Sequence, residues 1–224
     1  MSGSANGVTG GRRGSTATRA PAPEVGPHLR ARREELRLSV REVARRVGVS
    51  ASLVSQIERG NINPSVSTLY ALVSELGLSM QDVFGAPSEG SGRRRSRSPG
   101  GPVTHSGDRA LLQLASGVAW ERLTAAPVAG VDFLKVIYEP GSASCPDDAL
   151  IRHMGTEFGF VTSGRLGVQL GFESYELGPG DAISFDSALP HRLFAIGDEP
   201  AEAIWVALGR GGDGRVADEG FDAS

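Results

Sequence analysis

The chain has 224 residues with 39% hydrophobic content, enough to fill cores, and two domains are the expectation at this length. Its net charge of -3 conceals a division: residues 1–100 hold 15 Arg against 8 acids, whereas residues 101–224 hold 8 basic residues against 18 acids. A basic first half suits phosphates and an acidic second half is repelled by them; the single cysteine, Cys145, excludes an intrachain disulfide, and no long apolar run suggests a membrane span or signal core, so a cytoplasmic protein is expected.

Residues 1–26 are mostly Gly, Ser, Thr, Ala, Pro and Arg and read as a disordered tail in which Arg12, Arg13 and Arg19 are solvated. From Pro27 the pattern becomes helical, with Leu29, Arg33 and Leu36 on one side. Ser39 and Glu42 read as a capping box that starts a helix near Val40, with Val43, Ala44 and Val47 along one side and Gly48 as its stop. Ser50 caps a further helix carrying Val54 and Ile57, and Gly60 ends it, so two short helices meet across a three-residue turn. Pro64 marks a loop, Ser65 caps a fourth helix with Val66, Leu69, Leu72, Val73 and Leu76 on its apolar face, and Ser79 with Asp82 caps a fifth ending near Phe84.

Residues 85–108 are rich in Gly, Ser, Pro and Arg and read as a flexible basic linker. Its Arg93, Arg94, Arg95 and Arg97 suit either nonspecific phosphate contacts or a solubilising hinge. From Leu111 the sequence changes to short runs of strand character, LLQLA, VAWERLT, VDFLKVIYE, EFGFVTS, RLGVQLG, YELG, DAISF, HRLFAIG and AEAIWVAL, separated by turn residues. Many short strands punctuated by turns indicate a sandwich or barrel over residues 109–209, followed by a tail at 210–224.

The stretch SVREVARRVGVSASLVSQIERG, Ser39 to Gly60, resembles the helix-turn-helix of lambda-repressor-like (XRE family) regulators. The match lies in small Ala44, Gly48 in the turn, apolar Val43, Val47, Val49, Val54 and Ile57, the S-Q-I-E-R-G run at 55–60, and the N-x-N-P-S run at 61–65. A plain helical hairpin accounts for the apolar positions but not for the Arg-rich face. The resemblance implies a five-helix DNA-binding domain over residues 27–84. Its recognition helix would turn Ser50, Ala51, Ser52, Ser55 and Gln56 toward base edges in the major groove of a double-stranded operator. Gln56 is the best base reader of these, since its amide can pair with adenine, and Arg41, Arg59 and Asn61 would contact phosphates.

In the second half, His153 and Glu157 are separated by an even number of residues and share a face if that segment is extended, and His191 follows the strand DAISF and a turn. This spacing resembles the two motifs of the cupin double-stranded β-helix (jelly-roll) barrel: His153, three residues, Glu157, six residues, Gly164; then Gly180, ten residues, His191. The sequence departs from the pattern where Ile151 replaces the first metal His, Cys145 replaces the opening Gly, and Asp186, Ala188 and Ala195 replace the second motif's Pro, Gly and Asn. Two readings of His153, Glu157 and His191 stay open. One is a two-His, one-carboxylate metal site for Fe, Zn, Ni or Mn; the other is a metal-free polar cluster that binds an effector or is a relic of the fold. No cofactor is assigned with certainty. Cys145 reads as a buried apolar-like residue rather than a sensor thiol.

Together these resemblances imply an α + β multidomain chain: a sequence-specific DNA-binding transcriptional regulator, not an enzyme, acting as a homodimer on pseudo-palindromes. Its cupin would take a small-molecule effector in a pocket of Ile151, His153, Glu157 and His191, with Ile151 as the roof. The alternative is a mononuclear non-haem iron cupin enzyme of the hydroxypropylphosphonate epoxidase type. Because the linker is too soft to transmit a push, coupling between the halves would have to run through contact between the domains or through the dimer interface.

Overall fold

Four of the five helices of the first domain start at a serine that caps them. Among residues 25–84 and 101–209, which the computed structural model describes, five helices come first: α1 (Val25–Glu35), α2 (Val40–Val47), α3 (Ala51–Glu58), α4 (Val66–Glu75) and α5 (Met80–Val83). Of the expected disordered tail at 1–26, basic linker at 85–108 and C-terminal tail at 210–224, residues 1–24, 85–100 and 210–224 lie outside the described residues. The tail reading is corrected at Val25 and Gly26, which are buried in α1, and within the expected linker Ser106–Asp108 form one 3-10 turn. Ser39, Ser50, Ser65 and Ser79 each sit at N-cap with the side chain accepting a hydrogen bond from the third residue on. Only Ser79–Asp82 closes a reciprocal capping box. The expected box at Ser39 is half-formed, because the Glu42 carboxylate is drawn to Arg45 (2.7 Å) and Arg46 (2.7 Å), which also hold its pKa down to about 2. The first helix begins two residues earlier than Pro27, which lies in the first turn where its missing N–H leaves no hydrogen bond unmade.

The turn between α2 and α3 occupies residues 48–50, and Gly48 is left-handed at φ 76, the backbone geometry a side chain resists. Val43, Ala44, Val54, Ile57, Leu69, Leu72 and Val73 form the core of this domain. The approach of α1 to the end of α3 is close enough that a Cβ on Gly26 would stand 2.2 Å from the Ile57 carbonyl oxygen. A buried ion pair ties the same two helices, Arg33 Nε to Glu58 Oε1 at 2.6 Å and Nη2 to Oε2 at 2.9 Å, while Arg33 Nη1 donates to the Leu38 carbonyl.

The second half is an antiparallel double-sheet barrel of nine strands, β1 (Leu111–Gln113), β2 (Val118–Arg122), β3 (Val131–Tyr138), β4 (Thr156–Ser163), β5 (Arg165–Leu170), β6 (Glu173–Leu177), β7 (Ala182–Asp186), β8 (His191–Ile196) and β9 (Ala201–Leu208). One sheet runs β1-β2-β3-β9-β4-β7 and the other β6-β5-β8. Alternation puts Leu134, Val136 and Tyr138 of β3, Glu157 and Val161 of β4, and Ala203, Trp205 and Ala207 of β9 inside. The chain before β4 lies along β8, bridged at Ala143–Phe194 and Ile151–His191.

The helical domain is seated on the barrel. The Ser67 amide donates to the Ser144 carbonyl (3.2 Å) and the Ala115 amide to the Pro64 carbonyl (2.8 Å). Gln81 Nε2 donates to Asp132 Oδ1 (2.7 Å) and to the Val131 carbonyl (3.2 Å). The buried Arg122 guanidinium lies over the Phe84 ring at 5.8 Å, and burial lowers its pKa.

Candidate functional site

Two sets of polar residues stand out, one on each domain. On the helical domain, Arg41, Ser50, Ser52, Arg59 and Asn61 are exposed, and Ala51, Ser55 and Gln56 are half-buried. Several of these side chains are already engaged. Ser50 Oγ accepts from the Leu53 amide, so the residue expected at a base edge is also the cap that starts α3. Gln56 Nε2 donates to Ser52 Oγ at 3.1 Å, which leaves the Gln56 carbonyl oxygen and one amide hydrogen for another partner. Arg59 Nε donates back to the Ser55 carbonyl at 3.0 Å.

In the barrel, His153, Glu157 and His191 offer ligand atoms that all lie within 4.8 Å of one another. Glu157 is the second residue of β4, paired across to Phe185 and Ala207, and its side chain is 2% exposed. His191 opens β8 and is 1% exposed. His153 is not on the same strand as Glu157. Its amide donates to the Ser187 carbonyl (3.0 Å), and the chain then bends through Met154 and Gly155, where φ is 112, before β4 begins. A Cβ on Gly155 would stand 2.1 Å from the Leu208 carbonyl oxygen, so glycine is what allows this bend. The expectation of one extended face is corrected: the bend, not strand alternation, brings His153 Nε2 to 2.8 Å from Glu157 Oε1.

Backbone carbonyls fix how the two imidazoles present themselves. His153 Nδ1 lies 3.1 Å from the Met154 carbonyl oxygen and His191 Nδ1 lies 2.8 Å from that of Leu189. A carbonyl oxygen only accepts, so each Nδ1 carries a hydrogen and each Nε2 is turned to the interior. Those Nε2 atoms stand 2.8 and 3.8 Å from one carboxylate oxygen, and the other carboxylate oxygen accepts from Trp205 Nε1 at 2.8 Å. Two imidazole lone pairs converging on a carboxylate repel one another unless a cation joins them, either a proton on the imidazole or a metal ion. The donor set therefore fits a divalent metal, and His153, Glu157 and His191 are the residues that would hold it.

A cavity of about 20 Å³ adjoins Glu157 and His191, room for one water-sized occupant. Ile151 lines its wall beside Leu193, and Trp120, Tyr138 and Trp205 add aromatic faces. Besides Ile151, α4 of the helical domain covers the cavity through Val66 and Tyr70, and the Tyr70 ring stacks on His153 with centroids 5.0 Å apart and planes at 30°. The sequence reading missed Tyr70, which no spacing within the barrel could reveal. It also missed Trp205, which the alternation of β9 points inward. Cys145 stands apart, buried, donating to the Ala149 carbonyl (3.0 Å), with its thiol pKa raised chiefly by burial.

A helix-turn-helix family model matches residues 29–83 and a cupin domain model matches residues 134–207. The chain is 26% identical over 168 residues to the HTH-type transcriptional regulator PuuR of Escherichia coli (strain K12), an alignment covering 74% of this chain and 84% of that one. It is 44% identical over 55 residues, 25% of this chain and 71% of the relative, to the uncharacterized HTH-type transcriptional regulator y4dJ of Sinorhizobium fredii. The chain belongs to the helix-turn-helix transcriptional regulators. A solved HTH_3 family transcriptional regulator from Vibrio cholerae shares the fold, with a TM-score of 0.57 at 22% identity, over 83% of this chain and 95% of that one. This regulator is thus a DNA-binding protein with a helix-turn-helix domain and a cupin domain, and PuuR and y4dJ are both named as transcriptional regulators. No helix among the described residues is long and apolar enough to cross a membrane.

Proposed function

We propose that the cupin barrel is the sensing half of this regulator and that His153, Glu157 and His191 form its sensor site, with a divalent metal ion as the first occupant. The observation that carries this is the convergence of two carbonyl-oriented Nε2 atoms on Glu157 Oε1, at 2.8 and 3.8 Å, beside a cavity of about 20 Å³. A bound metal would supply a Lewis-acidic point for a small ligand's oxygen or nitrogen. The chain's own residues would orient the imidazoles through Met154 and Leu189 and keep the carboxylate in place through Trp205. Titration of the chelator-treated full chain with Co²⁺ should reach one ion per chain with visible ligand-field bands, and His191→Ala should lose them. No ion bound by the wild type is the opposing result.

On the DNA side, the proposed reading is a cytoplasmic homodimer on a pseudo-palindromic operator, since one recognition helix spans only a few base pairs. Gln56 would read a base, Arg41, Arg59 and Asn61 would hold phosphates, and Ser50, Ala51, Ser52 and Ser55 would face the groove. Sedimentation of the full chain with and without a selected duplex tests the dimer. The iron-enzyme alternative shares the triad; the helix-turn-helix match over residues 29–83 favours the regulator.

A further inference from the structure

Helix α4 belongs to the DNA-binding domain, yet one side of it closes the barrel. Leu69, Leu72 and Val73 are buried in the helical core, while Val66 and Tyr70, four residues apart, line the cavity. The start of the helix is fixed to the barrel by two backbone hydrogen bonds, from Ala115 to Pro64 and from Ser67 to Ser144. Its far end reaches the reading pair, where Glu75 accepts from Arg46 of α2 at 2.9 Å. Tyr70 stacks on His153, and it also approaches Trp120 with centroids 5.7 Å apart.

Resting on the assignment of the triad as the sensor site, we infer that α4 is the element through which the barrel and the DNA-reading helices communicate, with Tyr70 as the residue that senses the site through its stack on His153. An ion held by His153 Nε2 fixes the imidazole plane, and that plane is one face of the stack under Tyr70. A ligand that enters the cavity meets Tyr70 and Val66, which line it, and displaces them as it grows beyond the size of a water. Either event moves α4, and α4 bears on α2 through Glu75 and Arg46. The occupant thereby has different affinity for the roof-closed and roof-open arrangements, which is the requirement for shifting operator affinity.

The test uses the full chain, Zn²⁺ alone as the site probe, and a duplex that the wild type selects from a randomised pool. Operator affinity is read by fluorescence anisotropy in chelator and in saturating Zn²⁺, so that only the ratio of the two enters. The wild type is expected to show a ratio of at least about fivefold in either direction, with bound duplex shifting Zn²⁺ affinity by the same factor. Tyr70→Phe, which keeps the ring, should preserve the ratio, and Tyr70→Ala should bring it to within about twofold of unity. A wild-type ratio retained in Tyr70→Ala overturns the role of the roof, as does Zn²⁺ binding that leaves wild-type operator affinity unmoved. Failure of the wild type to bind Zn²⁺ sinks the metal assignment instead, and a second arm then tests the roof without metal. Tyr70→Ala and His153→Ala each remove one ring of the same stack, so in chelator both should shift operator affinity the same way by at least about threefold, and the double variant no further than either. Wild-type operator affinity in His153→Ala, whose substitution lies outside the DNA-binding domain, overturns the inference.

Discussion

Glu58 and Glu157 are both buried carboxylates, one in each domain, and they are held in opposite ways. Glu58 faces the guanidinium of Arg33 through two hydrogen bonds at 2.6 and 2.9 Å, a cation that never loses its proton, and the pairing raises the Arg33 pKa still further. Glu157 faces two imidazoles, which can ligate a metal, and an indole, which only donates. A permanent cation turns the first carboxylate into a fastener between α1 and α3. Exchangeable partners make the second a place where something can bind, and the fold puts α4 of the reading domain over it.

The largest effect that would separate the two lies at Glu58. Glu58→Ala leaves a buried guanidinium without its partner and should cost about 3–5 kcal/mol in urea unfolding, whereas the double change Arg33→Met with Glu58→Leu should recover most of that loss. A cost below about 1 kcal/mol for the single change would remove the fastener from the comparison. Next in size, Gly159→Ala should act on the responsive side: a Cβ there would stand 2.2 Å from Trp205 Cζ3, so the indole must shift from its bond to Glu157. Overpacking of this kind costs about 1–3 kcal/mol, and Co²⁺ affinity should fall at least about tenfold because the carboxylate loses its positioning donor. Unchanged Co²⁺ affinity would show that Trp205 does not orient the site.

On the reading face, Gln56→Ala should lose about 1–3 kcal/mol of discrimination at one base position per half-site in a selection experiment, with other positions unaffected. Arg41→Ala should weaken all duplexes alike and reduce the slope of log affinity against log salt by about one. The smallest effect concerns Cys145, whose pKa is raised by burial. A raised pKa means the unfolded chain deprotonates first. The thiol's contribution is therefore fully present below the unfolded value of about 8.5 and is lost as pH rises through the higher folded value. Denaturation midpoints of wild type and Cys145→Ala between pH 8 and 10 should converge as pH increases, and parallel curves would show that the thiol is not shielded.

The legible parts of the sequence were those governed by near neighbours. Four serine caps, Gly48 at the turn, and nine strand-like runs each match an element, because capping and alternation depend on residues within a few positions of one another. The same local reasoning misjudged Ser39 with Glu42, where two arginines a turn onward compete for the carboxylate. It also placed His153 and Glu157 on one face by counting residues, whereas a bend at Gly155 does that work. The ion pair Arg33–Glu58 spans 25 positions, and its two residues read separately as an apolar-side arginine and part of a family run.

By itself the sequence determined two halves of opposite charge and the capped helices of the helix-turn-helix, since each is written in composition, periodicity or caps along one segment, while His153, Glu157 and His191 were singled out by the likeness to two separate barrel motifs. The tertiary structure alone decided what closes the trio. Tyr70 and His153 are 83 positions apart in chain order, and no pattern in either segment encodes the other. Their stacking depends on how two separately patterned surfaces meet, through Ser67 on Ser144, Ala115 on Pro64 and Gln81 on Asp132, and that fit is a property of shapes that exist only once both domains have folded.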